Sequence, residues 1–415
     1  MRHVIIGNGP AGVIAAEALR RADSAADVVL LGDESGPPYS RMAIPYLLTG
    51  KIDEAGTRLR HDPGHYKRLG IRLMKGRAAK VDSKARRVTL SSKKTLPYDR
   101  LLIASGAQAL RPDVPGIKSP NVHPCWTLAD ARAIAKKAKR GARVVQVGAG
   151  FIGCIILQAL AARGVKLTVV EMGNRMVPRM MTEKAGDLIR RWVESKGVQA
   201  QLSARVESIA KSGKGAMKVK LSNGSALDCD LLISAAGVRP NIDFLEGSGV
   251  KTADGILVNE RMQTSVPEIY AAGDVTEAAG FYSGKPQLNA IQPNAADQAR
   301  IAASNMAGSH AAAQGSLPIN VLDTMALVSS SFGEWQGVEG GDGVELVDEP
   351  GFRYLSLQFK DDTLIGATSI GWTDHVGALR GLIQGRVQLG PWKQRLLEDP
   401  TQFMAAYLGA AQKAA

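Results

Sequence analysis

Residues 1–12 read Met-Arg-His-Val-Ile-Ile-Gly-Asn-Gly-Pro-Ala-Gly, and residues 143–153 read Arg-Val-Val-Gln-Val-Gly-Ala-Gly-Phe-Ile-Gly. Each is a short apolar run of the kind a buried parallel strand needs, followed by glycines at G-x-G-x-x-G spacing. Gly7, Gly9 and Gly12 form the first set; Gly148, Gly150 and Gly153 repeat it 141 residues later. In such a turn the first glycine permits a tight reversal. The second lets the backbone approach a pyrophosphate, and the third lets the helix pack closely on its strand. Helices are predicted over 11–20, entered through Pro10 and Ala11, and from Phe151 and Ile152 to about Arg163. Their N-termini offer unpaired N–H groups and a positive dipole end to phosphates.

A second strand follows each helix, over 28–31 and 167–170, and each ends at an acid: Asp33-Glu34 in the first copy, Glu171 in the second. An acid about twenty residues past the glycines can hydrogen-bond a ribose hydroxyl. Glu34 is preferred to Asp33 for that role. Glu171 also repels a 2′-phosphate, which favours NADH over NADPH, although Arg175 follows four residues on. A third feature repeats as well. Leu101-Leu102-Ile103-Ala104-Ser105-Gly106 is echoed by Leu231-Leu232-Ile233-Ser234-Ala235-Ala236-Gly237, closing the copies 99 and 89 residues after their first glycines. Small residues there let backbone approach a ligand. One glycine turn is weak, but two in register, each with its acid and closing strand, indicate a duplicated nucleotide-binding domain.

The remaining stretches fit around this repeat. Pro37-Pro38-Tyr39-Ser40-Arg41 demands a loop just past the ribose acid. There Tyr39 can cover a ring, and Arg41 can reach a phosphate or make a surface ion pair. A short helix broken near Pro45 is predicted over 42–48, a small antiparallel ribbon over 71–96, a proline-rich boundary over 111–124 and a helix over 128–140. A strand over 269–272 delivers Gly273-Asp274 to a strand end, where ligands sit in open parallel sheets. Asp274 can bind a ribityl hydroxyl or cap the next helix, predicted over 294–307, whose dipole can face a flavin ring. From about residue 315 the pattern changes to antiparallel strands over 325–332, 353–359 and 364–369, with helices from Val376 and Pro391. Lys393, Arg395, Trp372 and Trp392 can shape an interface there, with core packing the preferred role for the tryptophans.

At 415 residues the chain has room for two or three domains. Its net charge of +13 favours acidic partners or serves solubility. Nucleic acid is not expected, because the densest basic stretch, Lys136-Lys137-Ala138-Lys139-Arg140, reads as a solvated helix end. No membrane span is expected, and the direct entry into a strand points to the cytoplasm. Cys125, Cys154 and Cys229 form no C-x-x-C pair. No metal is expected, since His61 and His65 flank a Pro-Gly break.

Taken together, Gly7-Asn8-Gly9-Pro10-Ala11-Gly12, Leu31-Gly32-Asp33-Glu34 with Pro38-Tyr39-Ser40-Arg41, Ile103-Ala104-Ser105-Gly106-Ala107, Gly237-Val238-Arg239-Pro240-Asn241 and Ala272-Gly273-Asp274 resemble the two-dinucleotide-fold flavoprotein reductases. The branch is that of NADH:rubredoxin reductases, ferredoxin reductases and nitrite reductase flavin domains. The resemblance implies an α/β fold of two Rossmann-like three-layer domains plus a C-terminal α+β interface domain. It implies a first FAD-binding part over 1–110, an NAD(H)-binding domain over 111–240, a second FAD part over 241–314 and the interface domain over 315–415. FAD would lie on Gly7, Gly9, Pro10, Ala11, Gly12, Glu34, Arg41, Ala104, Ser105, Gly106, Gly273 and Asp274. NADH would lie on Gly148, Gly150, Phe151, Ile152, Gly153, Glu171 and Gly237. The flavin carries the chemistry, so no side chain is expected to be catalytic. Two departures stand out. Met42 occupies the position of the redox cysteine of disulfide-reducing relatives, which excludes their thiolate chemistry. Ile155 stands where such reductases carry a glutamate near the nicotinamide. The expected activity is electron transfer from NADH through FAD to an acidic iron–sulfur protein. The alternatives are a flavin-binding subunit with a relaxed NADH site, or direct reduction of quinone or oxygen. Either a homo-oligomer or a place in a larger complex is expected.

Overall fold

The computed structural model describes residues 1–213 and 215–411. The chain forms two compact units, each assembled from separated segments.

The first unit comprises Met1–Ala43, Ile52–Gln108 and Val238–Leu317. Its centre is a five-stranded parallel sheet in the order Ile269–Ala271, Arg100–Ile103, Arg2–Ile6, Asp27–Gly32, Ile71–Lys75. Val4, Ile5 and Ile6 are buried on both faces, which is why the run lacks alternation. Helices Pro10–Ala22 and Gln292–Met306 cover one face together, meeting through Ala11, Ala15, Ala16, Ala295, Ala299, Ala302 and Ala303. Small side chains at these positions let the two helices lie close. A three-stranded antiparallel sheet, Ala78–Asp82, Arg87–Leu90 and Thr95–Pro97, covers the other face through Val81, Val88 and Leu90.

The second unit comprises Ile44–Lys51, Ala109–Gly237 and the chain from Pro318 onward. It repeats the first pattern: a parallel sheet in the order Gln199–Gln201, Lys166–Val170, Arg143–Val147, Leu231–Ser234, Val122–His123. An antiparallel sheet of Val206–Ser212, Ala216–Leu221 and Ala226–Cys229 lies on one face. Helix Phe151–Ala162 lies on the other, between the parallel sheet and strand Ile319–Thr324, so nearly all its residues are apolar. Strand Ile319–Thr324 opens a five-stranded antiparallel sheet ordered Ile319–Thr324, Leu327–Gly333, Thr363–Ile370, Arg353–Lys360, Asp342–Asp348. Helices Val376–Gln384, Pro391–Glu398 and Phe403–Ala411 accompany it.

The α/β class with two Rossmann-like sheets agrees with the sequence reading, and three local expectations are corrected. Ile71–Lys75 is the edge strand of the first parallel sheet rather than part of an antiparallel ribbon, which begins at Ala78. Met325 and Ala326 form a hairpin turn, both with positive φ, and the strand starts at Leu327. The helix over Ile44–Leu48 is unbroken, because Pro45 stands in its first turn, where its missing N–H has no intrahelical partner. Trp372 and Trp392 are half-buried; the Arg395 guanidinium lies 4.7 Å above the Trp392 ring, and Lys393 pairs with Asp342 at 2.6 Å.

Candidate dinucleotide sites

The glycine turns of the two units obey the same steric rule. A methyl group on Gly7 would lie 2.0 Å from the Ala104 carbonyl oxygen, and one on Gly12 would lie 1.8 Å from that of Gly7. In the second unit, Gly148 would meet the Ala235 oxygen at 2.4 Å, and Gly153 that of Gly148 at 2.3 Å. First and third glycines are therefore fixed by the chain itself. The middle ones are not. Gly9 has φ −74° and Gly150 has φ −72°, which any residue adopts, and added methyl groups would meet nothing within 4 Å. Each stands at the N-cap of a helix of twelve or more residues, beside open space at the end of a central strand. That space, faced by N–H groups at the strand-order switch, fits a pyrophosphate.

In the first unit Gly273 joins this centre. Its turn has φ +87°, and a methyl group there would come 3.2 Å from Ala11 Cβ and 3.6 Å from Ala295 Cβ. The turn is thus pressed against the first turns of both helices, whose positive ends converge on it. Gln298, which the sequence reading missed, holds the turn: its Oε1 accepts from Gly273 N at 2.9 Å and from Thr276 Oγ1 at 2.8 Å. The Asp274 carboxylate accepts no hydrogen bond among the described residues, so it caps no helix and is free to receive hydroxyl donors. Burial raises its pKa, and the nearby Arg41 charge partly opposes that rise. Ser105 and Asn241 lock the closing segment, with Ser105 Oγ donating to Asn241 O at 2.8 Å and Asn241 Nδ2 to Ser105 O at 2.9 Å. Glu34 accepts from Tyr39 Oη at 2.7 Å and from Arg41 Nη2 at 2.9 Å. Arg41 thus makes the ion pair left open by the sequence and also lies near enough to Asp274 to influence it.

In the second unit Glu171 spans two backbone amides, accepting from Ala149 N at 2.7 Å and Gly173 N at 2.8 Å. Arg175 is turned into its own loop, donating to Met181 O at 2.8 Å, Pro178 O at 3.1 Å and Asn174 Oδ1 at 3.0 Å. Phe151 and Ile152 occupy the first helical positions, and Gly237 (φ +108°) accepts from Leu110 N at 2.9 Å. Ile155 is half-buried on the same helix.

All three cysteines are buried and unpaired, and burial raises each thiol pKa to about 12. None is a thiolate near neutrality. No group of three or more acidic, histidine or cysteine side chains suited to a metal occurs among the described residues. No helix among them is long and apolar enough to cross a membrane.

Comparison with known proteins gives the family. The chain is 31% identical over 402 residues to the epsilon subunit of NADH-dependent phenylglyoxylate dehydrogenase from Aromatoleum evansii, covering 96% of this chain and 95% of that one. It is 32% identical over 310 residues to a probable ferredoxin reductase from Castellaniella defragrans, covering 74% and 76% of the two chains. A crystal structure of a ferredoxin reductase from Rhodopseudomonas palustris superposes with a TM-score of 0.83 at 28% identity, over 90% of this chain and 92% of that one. Residues 1–303 match the family described as pyridine nucleotide-disulphide oxidoreductase. The chain belongs to that family, as an FAD-dependent NAD(P)H oxidoreductase with no redox-active disulfide.

Proposed function

We propose that the first unit holds FAD, the second holds NADH, and the electrons leave for a small acidic iron–sulfur protein. The observation that carries the assignment is the pair of middle glycines, Gly9 and Gly150. Nothing among the described residues requires glycine at either place, whereas a phosphate pressed onto the backbone does. When bound, FAD supplies the redox chemistry, accepting a hydride equivalent from NADH and releasing electrons singly or in pairs.

The chain's own residues bind and orient. Gly7–Gly12 and the Gly273 turn present N–H groups to the FAD pyrophosphate, and Asp274 accepts from its ribityl chain. Glu34 receives the adenosine ribose while Tyr39 and Arg41 hold its carboxylate in place. In the other unit Glu171 receives the NADH ribose. With Arg175 held by the carbonyls of its own loop and 3.8 Å from Glu183, the negative Glu171 stands at the ribose position, which supports NADH over NADPH. The three buried, protonated thiols are not placed to relay electrons, so the chain itself offers no dithiol step between a bound flavin and an acceptor. The +13 charge and the similarity to ferredoxin reductases support an acidic iron–sulfur acceptor.

A second reading has its own support: the A. evansii relative, similar over nearly its full length, is named as a subunit of a larger dehydrogenase. In that case Ile155 marks a relaxed NADH site, and a partner chain completes the reaction. Anaerobic titration of FAD-loaded protein with NADH and with NADPH separates the two. Rapid bleaching by NADH, and much slower bleaching by NADPH, supports the reductase. An unbleached flavin in the isolated chain supports the subunit.

A further inference from the structure

The two glycine turns differ beneath the surface. Two residues before the first glycine, the first unit carries Ile5 and the second carries Gln146, both fully buried. Gln146 Nε2 donates to Gly148 O and to Gly153 O, each at 2.9 Å. Both partners are carbonyls, so the amide orientation is fixed: only the NH₂ group can face them. The Gly148–Ala149 peptide is consequently held at both ends. Its carbonyl is tied to Gln146, and its N–H to Glu171 at 2.7 Å. In the first unit Ile5 offers no donor, and Glu34 is tied to Tyr39 and Arg41 in its own loop.

We infer that Gln146 is a positioning residue that keeps the NADH turn in its binding shape while no nucleotide is present. This rests on the reading that the second unit binds NADH. A nucleotide that enters and leaves at every turnover meets its site empty each time, so any ordering of the turn is charged against binding at every cycle. A resident cofactor orders its turn once. A buried amide aimed at two carbonyls suits the first situation, and an isoleucine is sufficient for the second. Gln146 touches no nucleotide; it ties the carbonyls of residues 148 and 153 together from behind, and so fixes the backbone between them that carries Gly150.

The test uses FAD-loaded protein and its Gln146→Met and Gln146→Ile variants. Met keeps the length of the side chain without the donors, and Ile restores the residue of the first unit. ADP-ribose binding is measured by calorimetry, and flavin reduction by anaerobic stopped flow over a range of NADH concentrations. The Kd for ADP-ribose and the half-saturating NADH concentration are expected to rise together, about tenfold. The limiting reduction rate is expected to change by less than about twofold, a split that general destabilisation does not produce. Wild-type Kd in the Met variant overturns the inference. Should both variants fail to fold, amide hydrogen exchange on the wild type decides. The amides of residues 148, 149 and 154, which are bonded within the chain, are expected to be protected without nucleotide, whereas those of 7 and 13 lose protection when FAD is removed. Fast exchange at 148, 149 and 154 until ADP-ribose is added overturns the inference without any variant. A wild-type protein that binds no ADP-ribose instead overturns the NADH assignment, and the exchange data still judge Gln146.

Discussion

Gly9 and Gly12 are three residues apart and should respond to substitution in opposite ways. Gly9→Leu has room and an ordinary φ, so the apoprotein should keep its stability to within about 0.5 kcal/mol in urea unfolding. Its FAD occupancy should fall by at least about tenfold, since the new side chain fills the phosphate space. Gly12→Ala forces a methyl group to 1.8 Å from a carbonyl oxygen and should cost about 3 kcal/mol before any cofactor is added. Asp274 makes a different prediction. Burial raises its pKa above the ordinary 3.8, so the folded apoprotein binds this proton more tightly than the unfolded chain does. That contribution is complete below the unfolded value and is lost as pH rises through the folded one. Asp274→Asn should therefore match wild-type stability in acid and exceed it progressively as pH rises, in denaturant titrations of the apoprotein. The same variant should hold FAD about tenfold more weakly, because the amide is a poorer acceptor for hydroxyl donors.

The turn carrying Asp274 depends on the helix behind it. Gln298→Leu removes the acceptor for the buried Gly273 N–H and should destabilise the first unit by about 1–3 kcal/mol, with faster FAD release on dilution. Elements of this kind were unevenly legible in the sequence. The duplicated strand–glycine–helix units, their acids and their closing strands could be read directly, because steric needs at Gly7, Gly12, Gly148 and Gly153 leave no alternative residue. Gln298 and Gln146 could not: a glutamine within a helix or strand reads as solvated until its depth is known. One signal did exist for Gln146, since it breaks an otherwise apolar strand where the other copy has Ile5. The edge strand Ile71–Lys75 was misread because most of it is exposed, Leu73 included, so it lacks the continuous apolar run of the central parallel strands. The turn at Met325-Ala326 carries no glycine, so its positive φ angles had no compositional mark.

For the molecule as a whole, charge is the property that the fold leaves unassigned. If +13 steers an acidic acceptor, the second-order rate for reducing a ferredoxin should drop several-fold between about 50 and 300 mM salt, as steered association does, while NADH-dependent flavin bleaching stays level. A salt-independent acceptor rate would leave the charge to solubility alone. The order of segments has a consequence for biosynthesis. Strand Ile269–Ala271, which delivers Gly273 and Asp274, is the last strand of its sheet to be made, and helix Gln292–Met306 follows it. On the proposal that the first unit holds FAD, its compartment must wait on the ribosome with one wall missing while residues 109–237 of the other unit are translated. Capture of the vitamin-derived cofactor therefore belongs to the final third of synthesis, and a nascent chain stalled before residue 269 should emerge colourless.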